Sequence, residues 1–447
     1  MPLPHPSLLD LEQVNAGLAS IVAAAPPQLQ HFQLDNGLSV YLRENHRTQL
    51  AAVQLWYHVG SSHEPAGHSN LSHLLEHLIF EGSSKLAAGE YSRVIARIAG
   101  NANASTLADA TSYEMSLPAS RLPIALEVMA DAMNNATFGQ TEMARGVKAV
   151  KDERRLNYES QPVSQAYDQH SALAHGSSPY SNPAYGSPAD LDNITLERLR
   201  DWYRSWYRPN NATLVVVGNI DLAMLRQQVE RYFSDLPRWP IPDSPTPRHP
   251  ASLQERSHTV RMPGLHDGLV MSFNVPGIAT APDPTTASTL TLLAEVLGGG
   301  FSAMLYSDLV RDKRMLTSVA VTYDVLMRGD TLLTISGYVN TSNATPEQAA
   351  EAIYQQVNAL RTTLLAEDHL QQAKLRMLAR HLFNMDDLNS LTAQIGAVAA
   401  AGLPAGVIDQ STSIVLNLDS AQVRQVALTY LGRERLTTTY LRSGAPA

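Results

Sequence analysis

The 447-residue sequence predicts an α+β protein built from two homologous domains, each an antiparallel sheet with helices packed on one face. A proline-rich segment, with six prolines from Pro237 to Pro250, separates two stretches of similar length. Strand and helix patterns occur in the same order in both stretches, which indicates an internal repeat. The composition, 44% hydrophobic and 17% charged, is typical of a globular chain. We therefore predict an N-terminal extension (1–29), a first domain (30–236), a linker (237–254) and a second domain (255–447).

Short runs of apolar and β-branched residues predict the strands, and apolar residues spaced three or four apart predict the helices. For the first domain they predict a strand at 52–59, a helix around 71–79, strands within 103–117, helices at 122–135, 140–161 and 196–207, and a strand at 213–217. For the second domain they predict a strand at 269–275, a helix at 285–297, strands at 317–325 and 331–339, helices at 346–365, 368–384 and near 421–431, and a strand at 436–441. Four aromatic residues of the 196–207 helix are interpreted as packing beneath the sheet: Trp202, Tyr203, Trp206 and Tyr207.

The segment His73-Leu74-Leu75-Glu76-His77 places two imidazoles and a carboxylate on one helical turn. Residues four apart are neighbours on a helix surface, so His73 and His77 can both reach one metal ion. Glu76 precedes His77 and can hold and deprotonate a water on that ion. Chance gives such a motif in roughly one chain of this length in forty, so the pattern alone also fits a coincidence.

A catalytic zinc usually has three protein ligands, so a third residue is needed. Glu153 is the best candidate, because it lies beside the apolar stripe of a predicted helix while Asp152 points away from that stripe. The alternative for Glu153 is an ordinary salt bridge with Arg154 or Arg155. The chain has no cysteine, so any metal site must be built from histidine and carboxylate.

The HxxEH motif followed by Glu153 resembles the M16 metallopeptidases, the inverzincin family that includes pitrilysin and the mitochondrial processing peptidase. The resemblance covers nearly the whole chain from about Gln30. Further matching stretches are Val59 to Pro65, Asn103 to Thr106 with Asp109, Thr111 and Tyr113, and Arg208 to Ala212 leading into Thr213 to Asn219.

This resemblance implies one zinc ion per chain, held by His73, His77 and Glu153, with Glu76 as the general base. It also implies that the two domains form half of a clamshell chamber. A sheet edge is expected to pair with the backbone of an extended peptide substrate, and the residues implied are Asn103, Ala104, Ser105 and Thr106. Taken alone, those four residues favour a polar turn before a strand.

The second domain is predicted to lack a metal site and to serve as a structural partner. Aligning Glu295 with Glu76 puts Leu292 and Val296 in place of the two histidines. The stretch that matches the helix of Glu153 has no acidic residue between Asp368 and Asp386.

Two positions depart from the family pattern. Family members usually carry an arginine and a tyrosine, seven residues apart in the second half, that support the transition state. This chain keeps Arg311 but has Ser318 at the tyrosine position, and Tyr323 is a possible substitute. Gly146 stands where relatives commonly have a glutamate outside the metal ligands.

These features together predict a zinc-dependent endopeptidase subunit that cleaves extended or unfolded peptides inside a closed chamber. A homologous partner would supply the Arg/Tyr pair in a heterodimer, and a homodimer is the competing assembly. The alternative function is a non-catalytic core or assembly subunit with residual zinc binding.

Charge and hydropathy exclude other classes. The net charge of −9 argues against a nucleic-acid partner, and the absence of any apolar run of 18 residues predicts no membrane span. The N-terminal stretch carries Asp10 and Glu12 and has no Lys or Arg before Arg43, which is the wrong charge for a secretory signal. The default expectation is the bacterial cytoplasm, or the periplasm if a signal peptide was removed.

Overall fold

The structure is a computed structural model that describes residue 17 and residues 28–250 and 252–444. Two sheets, each covered by helices, form the body of these residues, and the predicted α+β fold with two similar halves is confirmed. Most of the predicted N-terminal extension, residue 251 of the predicted linker and residues 445–447 lie outside the described residues.

The first half contains a six-stranded sheet. Its strands are β1 (Gln30–Gln33), β2 (Ser39–Glu44), β3 (Leu50–Tyr57), β4 (Asn101–Thr106), β5 (Thr111–Pro118) and β6 (Ala212–Gly218). They follow the order β1-β2-β6-β3-β5-β4, so β4 lies at one edge of the sheet. All pairs are antiparallel except β2 with β6, which run parallel.

The second half contains a five-stranded sheet. Its strands are β7 (Arg256–Met262), β8 (Gly268–Val275), β9 (Leu316–Tyr323), β10 (Thr331–Val339) and β11 (Leu436–Ser443). Their order, β7-β11-β8-β10-β9, repeats the order β2-β6-β3-β5-β4 of the first sheet. Again one pair, β7 with β11, is parallel. The prediction of antiparallel sheets is therefore wrong for one strand pair in each sheet. In each half the chain crosses over through the helices, and its last strand, β6 or β11, then pairs in parallel with β2 or β7.

Helices fill the segments between these strands. In the first half they are α1 (Leu71–Ile79), α2 (Glu90–Arg97), α3 (Leu122–Asn135), α4 (Gln140–Arg154), α5 (Pro162–His175), α6 (Pro188–Asn193), α7 (Leu196–Trp206) and α8 (Leu222–Phe233). In the second half they are α9 (Pro284–Gly298), α10 (Pro346–Thr362), α11 (Glu367–Asp386), α12 (Leu388–Ala400), α13 (Val407–Asn417) and α14 (Ser420–Tyr430). In the described part of the chain, none of them has the length and apolar character needed to cross a bilayer.

The helix predicted over residues 140–161 is divided in the structure. Helix α4 ends at Arg154, and a wider helical turn follows at Arg155–Glu159. Leu156, which lies within the predicted helix, is 68% exposed in this turn. The buried face of α4 is instead formed by Met143 and Val150.

Each half has its own apolar core between its sheet and its helices. In the first half, leucines of α1 and aromatic residues of α7 pack beneath the sheet. The predicted packing role of the α7 cluster is confirmed, because all four aromatic residues are buried in this core: Trp202, Tyr203, Trp206 and Tyr207.

The second face of each sheet is covered by a helix from the other half. Helix α12 packs on β3 and β6, where Ile395 lies in one apolar cluster with Trp56. Helix α5 packs on β7, β8 and β11, where Ala166 is buried with Val260. This reciprocal exchange fixes the two halves against each other, since neither sheet is covered on both faces by its own half alone.

A buried ion pair also joins the halves. Arg328 Nε donates to Asp109 Oδ1 at 2.9 Å, and both side chains are at least 87% buried. Ser62 and Tyr180 donate their hydroxyls to the same carboxylate at 2.8 and 2.6 Å. Arg328 Nη1 in turn donates to the carbonyl of Pro245, so the proline-rich segment is anchored to the junction of the halves.

Candidate metal centre

Helix α1 packs on the core of the first half and directs the motif residues toward a cavity. Its apolar side is buried in the core of the first half. The opposite side stays partly exposed and carries His73, Glu76 and His77. The apolar spacing that predicted this helix therefore also decides which side faces the cavity.

Glu64 fixes the start of helix α1. Its carboxylate accepts the backbone N–H groups of Asn70 at 2.9 Å and Ser72 at 2.7 Å. A carboxylate is favoured there because the first N–H groups of a helix have no partner within it. Burial raises the pKa of Glu64 to about 7, although both backbone donors oppose this shift. Sequence reasoning missed this role, and its only signal was the match of the His63-Glu64-Pro65 stretch to the family.

The two imidazoles and Glu153 converge on one point. His73 Nε2 and His77 Nε2 lie 3.2 Å apart, and each lies 3.4 Å from Glu153 Oε2. Zinc with four ligands at about 2.0–2.1 Å separates neighbouring ligand atoms by about 3.3–3.4 Å. The observed spacing fits this requirement. Among the described residues, these three form the group whose ligand atoms lie close enough to hold a metal ion.

The ordinary salt bridge considered for Glu153 is not observed. Arg154 Nε pairs with Glu159 at 3.2 Å, and Arg155 pairs with Asp152 at 3.5 Å. Both arginines therefore have other acidic partners, and the carboxylate of Glu153 faces the histidines.

Helix α4, which carries Glu153, packs closely against helix α1 at Gly146. A Cβ at Gly146 would lie 3.0 Å from Leu74 Cδ1 and 3.1 Å from Leu78 Cδ2. To admit a Cβ, these two leucine side chains would have to shift by a few tenths of an ångström. Gly146 therefore lies at a close contact between the helices that carry the three candidate ligands.

The three groups also perturb one another electrostatically. Burial disfavours a charged His73, but its hydrogen bond with Glu153 and the charge of Glu76 outweigh burial and raise its pKa. Burial and the neighbouring His73 lower the pKa of His77. The hydrogen bond with His73 lowers the pKa of Glu153. A metal needs neutral imidazoles, so protons and metal compete for this site.

Glu76 lies beside the three candidate ligands and is held by the neighbouring sheet edge. Thr106 Oγ1 donates to Glu76 Oε2 at 2.6 Å. The sequence placed Thr106 in the substrate strand, and the structure adds that its side chain holds Glu76. Among the described residues, the other oxygen of Glu76 accepts no hydrogen bond, which leaves it for a water or a substrate group.

A cavity of about 550 Å³ contains these groups. Strand β4 forms one wall, with Asn103 and Ser105 exposed and Ala104 and Thr106 half-buried. Because β4 is an edge strand, the backbone groups on its outer side have no partner strand in the described sheet. The motif helix, Glu64, Glu153 and the loop 183–186 form the remaining walls.

The residues that the family pattern suggested from the second half do not reach this cavity. Arg311 is exposed and pairs with Asp312 at 2.9 Å. Ser318 lies in β9, and neither residue lines the cavity. The Tyr323 hydroxyl donates to the carbonyl of Pro276 at 2.6 Å and is therefore already engaged. Within this chain, Tyr323 does not replace the missing phenol.

In the second half, arginines surround the counterpart of Glu76. Glu295 is buried and accepts from Arg376 at 2.7 Å and from Arg380 at 2.8 Å. Leu292 and Val296, which stand in place of the histidines, are buried in the apolar core. Two cations thus pair with the carboxylate, and the described residues of this half contain no group that could hold a metal.

Two family profiles match the chain. One, described as "Insulinase (Peptidase family M16)", matches residues 39–186. The other, described as "Peptidase M16 inactive domain", matches residues 193–377. The first contains the HxxEH motif and Glu153, and the second contains Glu295 and one of its arginine partners, Arg376.

Similar curated proteins are named zinc proteases. The zinc protease PqqE of Helicobacter pylori is 26% identical over 437 residues, which is 96% of each chain. The uncharacterized zinc protease YmxG of Bacillus subtilis is 25% identical and covers 82% of this chain and 87% of its own.

Solved structures agree with these matches. A protease from Helicobacter pylori superposes with a TM-score of 0.86 at 25% identity, covering 93% of this chain and all of its own. Pitrilysin superposes with a TM-score of 0.74 at 18% identity, covering 93% of this chain and 44% of its own, which shows a shared fold.

Proposed function

The chain belongs to the M16 family of zinc proteases, and from this premise we propose that it is the metal-bearing subunit of a zinc-dependent endopeptidase. Its substrates are extended or unfolded peptides that enter a closed chamber. The observation that carries the proposal is the convergence of His73, His77 and Glu153 on one point beside Glu76, at the spacing that zinc requires.

His73, His77 and Glu153 would hold one zinc ion, which when bound polarises the substrate carbonyl and lowers the pKa of a water. Glu76 orients this water and takes its proton as the water oxygen adds to the carbonyl carbon. Glu76 then delivers the proton to the leaving nitrogen as the C–N bond breaks. Thr106 holds one oxygen of Glu76, so the carboxylate keeps its orientation through both proton transfers.

The edge strand β4 determines the class of substrate. An extended peptide can add to its free side and form backbone hydrogen bonds next to Glu76. Such pairing uses backbone groups, so it gives affinity without demanding a particular side-chain sequence. A folded protein surface cannot present a strand of this kind inside the cavity.

The partner supplies what the second half does not bring to the cavity. Arg311 and Ser318 do not line it, so we propose that a homologous subunit contributes an Arg/Tyr pair in a heterodimer. The isolated chain should then bind zinc yet cleave peptides poorly, and adding the partner should restore cleavage. Full activity from the purified chain alone would reject the heterodimer and leave a homodimer or an active monomer.

The variant Glu76→Gln tests the catalytic role. It keeps the shape of the side chain and the contact with Thr106 but cannot accept a proton. We expect one zinc per chain, as in the wild type, and a loss of peptide hydrolysis of roughly a hundred- to ten-thousand-fold. Glu81→Gln is a matched control, because Glu81 directly follows the motif helix and pairs with Arg145 at the surface.

Unchanged turnover in Glu76→Gln would reject the general-base assignment. If the wild type and the variant both bind zinc and both lack activity in the presence of the partner, the chain is an assembly subunit with residual zinc binding.

A further inference from the structure

The loop 183–186 places a phenol at the metal cavity. Tyr185 is the tyrosine among the described residues that line this cavity. Its ring lies edge-on to the imidazole of His73, with 6.1 Å between centroids and 69° between planes. The side chain is only partly buried, so it belongs to the cavity wall rather than to the core.

The Tyr185 hydroxyl has no hydrogen-bond partner among residues 28–250 and 252–444. Several other tyrosines of the first half are engaged: Tyr180 donates to Asp109, Tyr203 donates to the carbonyl of Ala132, and Tyr113 and Tyr207 bond each other. A phenol usually finds a partner where it is buried. Tyr185 thus lines the cavity with its ring beside His73 and with a hydroxyl that no group of the described residues engages.

Arg154, on the helix that carries Glu153, holds the loop that carries Tyr185 by two hydrogen bonds. Arg154 Nη1 donates to the carbonyls of Tyr185 at 3.2 Å and Gly186 at 2.7 Å. Arg154 follows Glu153 directly, so neighbouring residues of α4 position both a candidate ligand and the phenol. The guanidinium also packs over the ring of Tyr158, 4.5 Å from its centroid.

The other end of the loop is fixed against the start of helix α1. Gly186 has a φ of +55°, and a Cβ there would lie 2.2 Å from Asn70 Nδ2. The backbone N–H of Ser187 donates to Ser69 Oγ at 2.8 Å. Both anchors of the loop thus lie on segments that carry the candidate zinc ligands, and such support is what a positioned catalytic group requires.

We propose that Tyr185 donates a hydrogen bond to the carbonyl oxygen of the scissile peptide as that oxygen becomes negatively charged. The inference rests on the proposed function and adds a donor from the first half of this chain to the Arg/Tyr pair that the partner subunit supplies. When the water oxygen bonds to the carbonyl carbon, the water proton goes to Glu76 and the C=O π electrons move to the oxygen. Tyr185 keeps its proton throughout and stabilises that oxygen only by donation.

Tyr185→Phe tests this role, because it keeps the ring and removes only the hydroxyl. We expect kcat to fall about a hundred- to a thousand-fold with KM within about threefold, since the bond strengthens in the transition state. The zinc content should not change. Tyr158→Phe is the matched control, because this ring packs beside Tyr185 at 6.2 Å but does not line the cavity.

A second readout does not depend on turnover. A phosphoramidate peptide presents a tetrahedral, negatively charged centre, so its dissociation constant for Tyr185→Phe should rise by about the same factor as kcat falls. The dissociation constant of an uncleaved peptide should be the same for Glu76→Gln and for the double variant Glu76→Gln with Tyr185→Phe. A tyrosine with a merely structural role would change the dissociation constants of the phosphoramidate and of the uncleaved peptide together, or would change neither.

The outcomes separate this inference from the proposed function. Turnover and phosphoramidate affinity within threefold of the wild type in Tyr185→Phe would overturn the role of Tyr185 and leave the zinc peptidase intact. A change in KM alone would also overturn it, since the hydroxyl would then contact only the ground state. Absence of zinc and of phosphoramidate binding in the wild type would reject both.

Discussion

Replacing Arg328 by methionine is expected to destabilise the protein by roughly 3–5 kcal/mol, the usual effect of removing one partner of a buried ion pair. The side chains of Arg328 and Asp109 are 13% and 8% exposed, so water cannot take over the lost contact. Asp109 keeps the hydroxyls of Ser62 and Tyr180 and the backbone N–H of Arg328. These three neutral donors do not balance its charge, but they should keep the loss near the lower end of this range.

Urea unfolding followed by tryptophan fluorescence measures the change. Arg248→Met is the matched control, because Arg248 lies in the proline-rich segment that Arg328 contacts but forms a 3.4 Å pair with Asp330 while 60% exposed. An exposed pair of this kind contributes about 0–1 kcal/mol. If Arg328→Met shifts the unfolding free energy by no more than Arg248→Met does, the ion pair does not join the halves as argued. The double variant with Asp109→Asn should regain part of the loss, because the unpaired charge is then removed.

Three further predictions concern other contacts. Gly396→Ala should lower stability by about 1–3 kcal/mol in thermal unfolding, because the added Cβ would lie 2.1 Å from Trp56 Nε1 where α12 covers the first sheet. His170, whose pKa burial lowers to about 4, should make stability fall as the pH drops below the unfolded-state value of about 6.5. The unfolded chain then binds the proton first, and the loss reaches about 2 kcal/mol at pH 5, measured by urea unfolding. Thr106→Val should lower kcat about tenfold with unchanged zinc content, because Glu76 loses its 2.6 Å hydrogen bond.

Each of these predictions has a control in the chain. Gly406→Ala should leave the melting temperature unchanged, because no atom lies within 4 Å of its added Cβ. His170→Gln should flatten the pH dependence whereas His258→Gln, at an exposed position, should not, and equal slopes in the two variants would contradict the assignment. Thr106→Ser keeps the hydroxyl and should retain most of the activity, so a serine variant as slow as the valine variant would exclude the hydrogen bond as the cause.

The sequence predicted those parts of the site that depend on local periodicity. The apolar spacing of residues 71–79 predicts a helix and the side on which His73 and His77 lie, and both agree with the structure. The same kind of pattern placed Glu153 at the border of a buried face. The roles of these residues as zinc ligands remain proposals.

Contacts between distant segments were not predictable in this way. The apolar residues of α12, such as Leu391 and Ile395, do not specify which sheet the helix contacts, because an apolar face fits the sheet of either half equally well. The same applies to α5 on the second sheet. The Arg328–Asp109 pair joins residues more than two hundred positions apart, and its burial follows from how the two halves meet.

Tyr185 and Glu64 were missed for a related reason. Tyr185 stands in a loop with no periodic pattern, and its place beside His73 depends on a hydrogen bond from Arg154 and the φ of Gly186. Glu64 precedes the helix that it caps by several residues, outside the usual capping position. Each role left one weak signal in the sequence. A glycine in a polar loop, such as Gly186, often marks a left-handed turn, and Glu64 lies in a stretch that matches the family.

The most direct test of the account is anomalous X-ray scattering at the zinc absorption edge from crystals of the purified chain. We predict one peak per chain, within about 2.3 Å of the Nε2 atoms of His73 and His77 and of a carboxylate oxygen of Glu153. No zinc peak in the second half is expected, because Leu292 and Val296 offer no ligand. A peak elsewhere, or none at the three residues in crystals grown with zinc, would contradict the central claim.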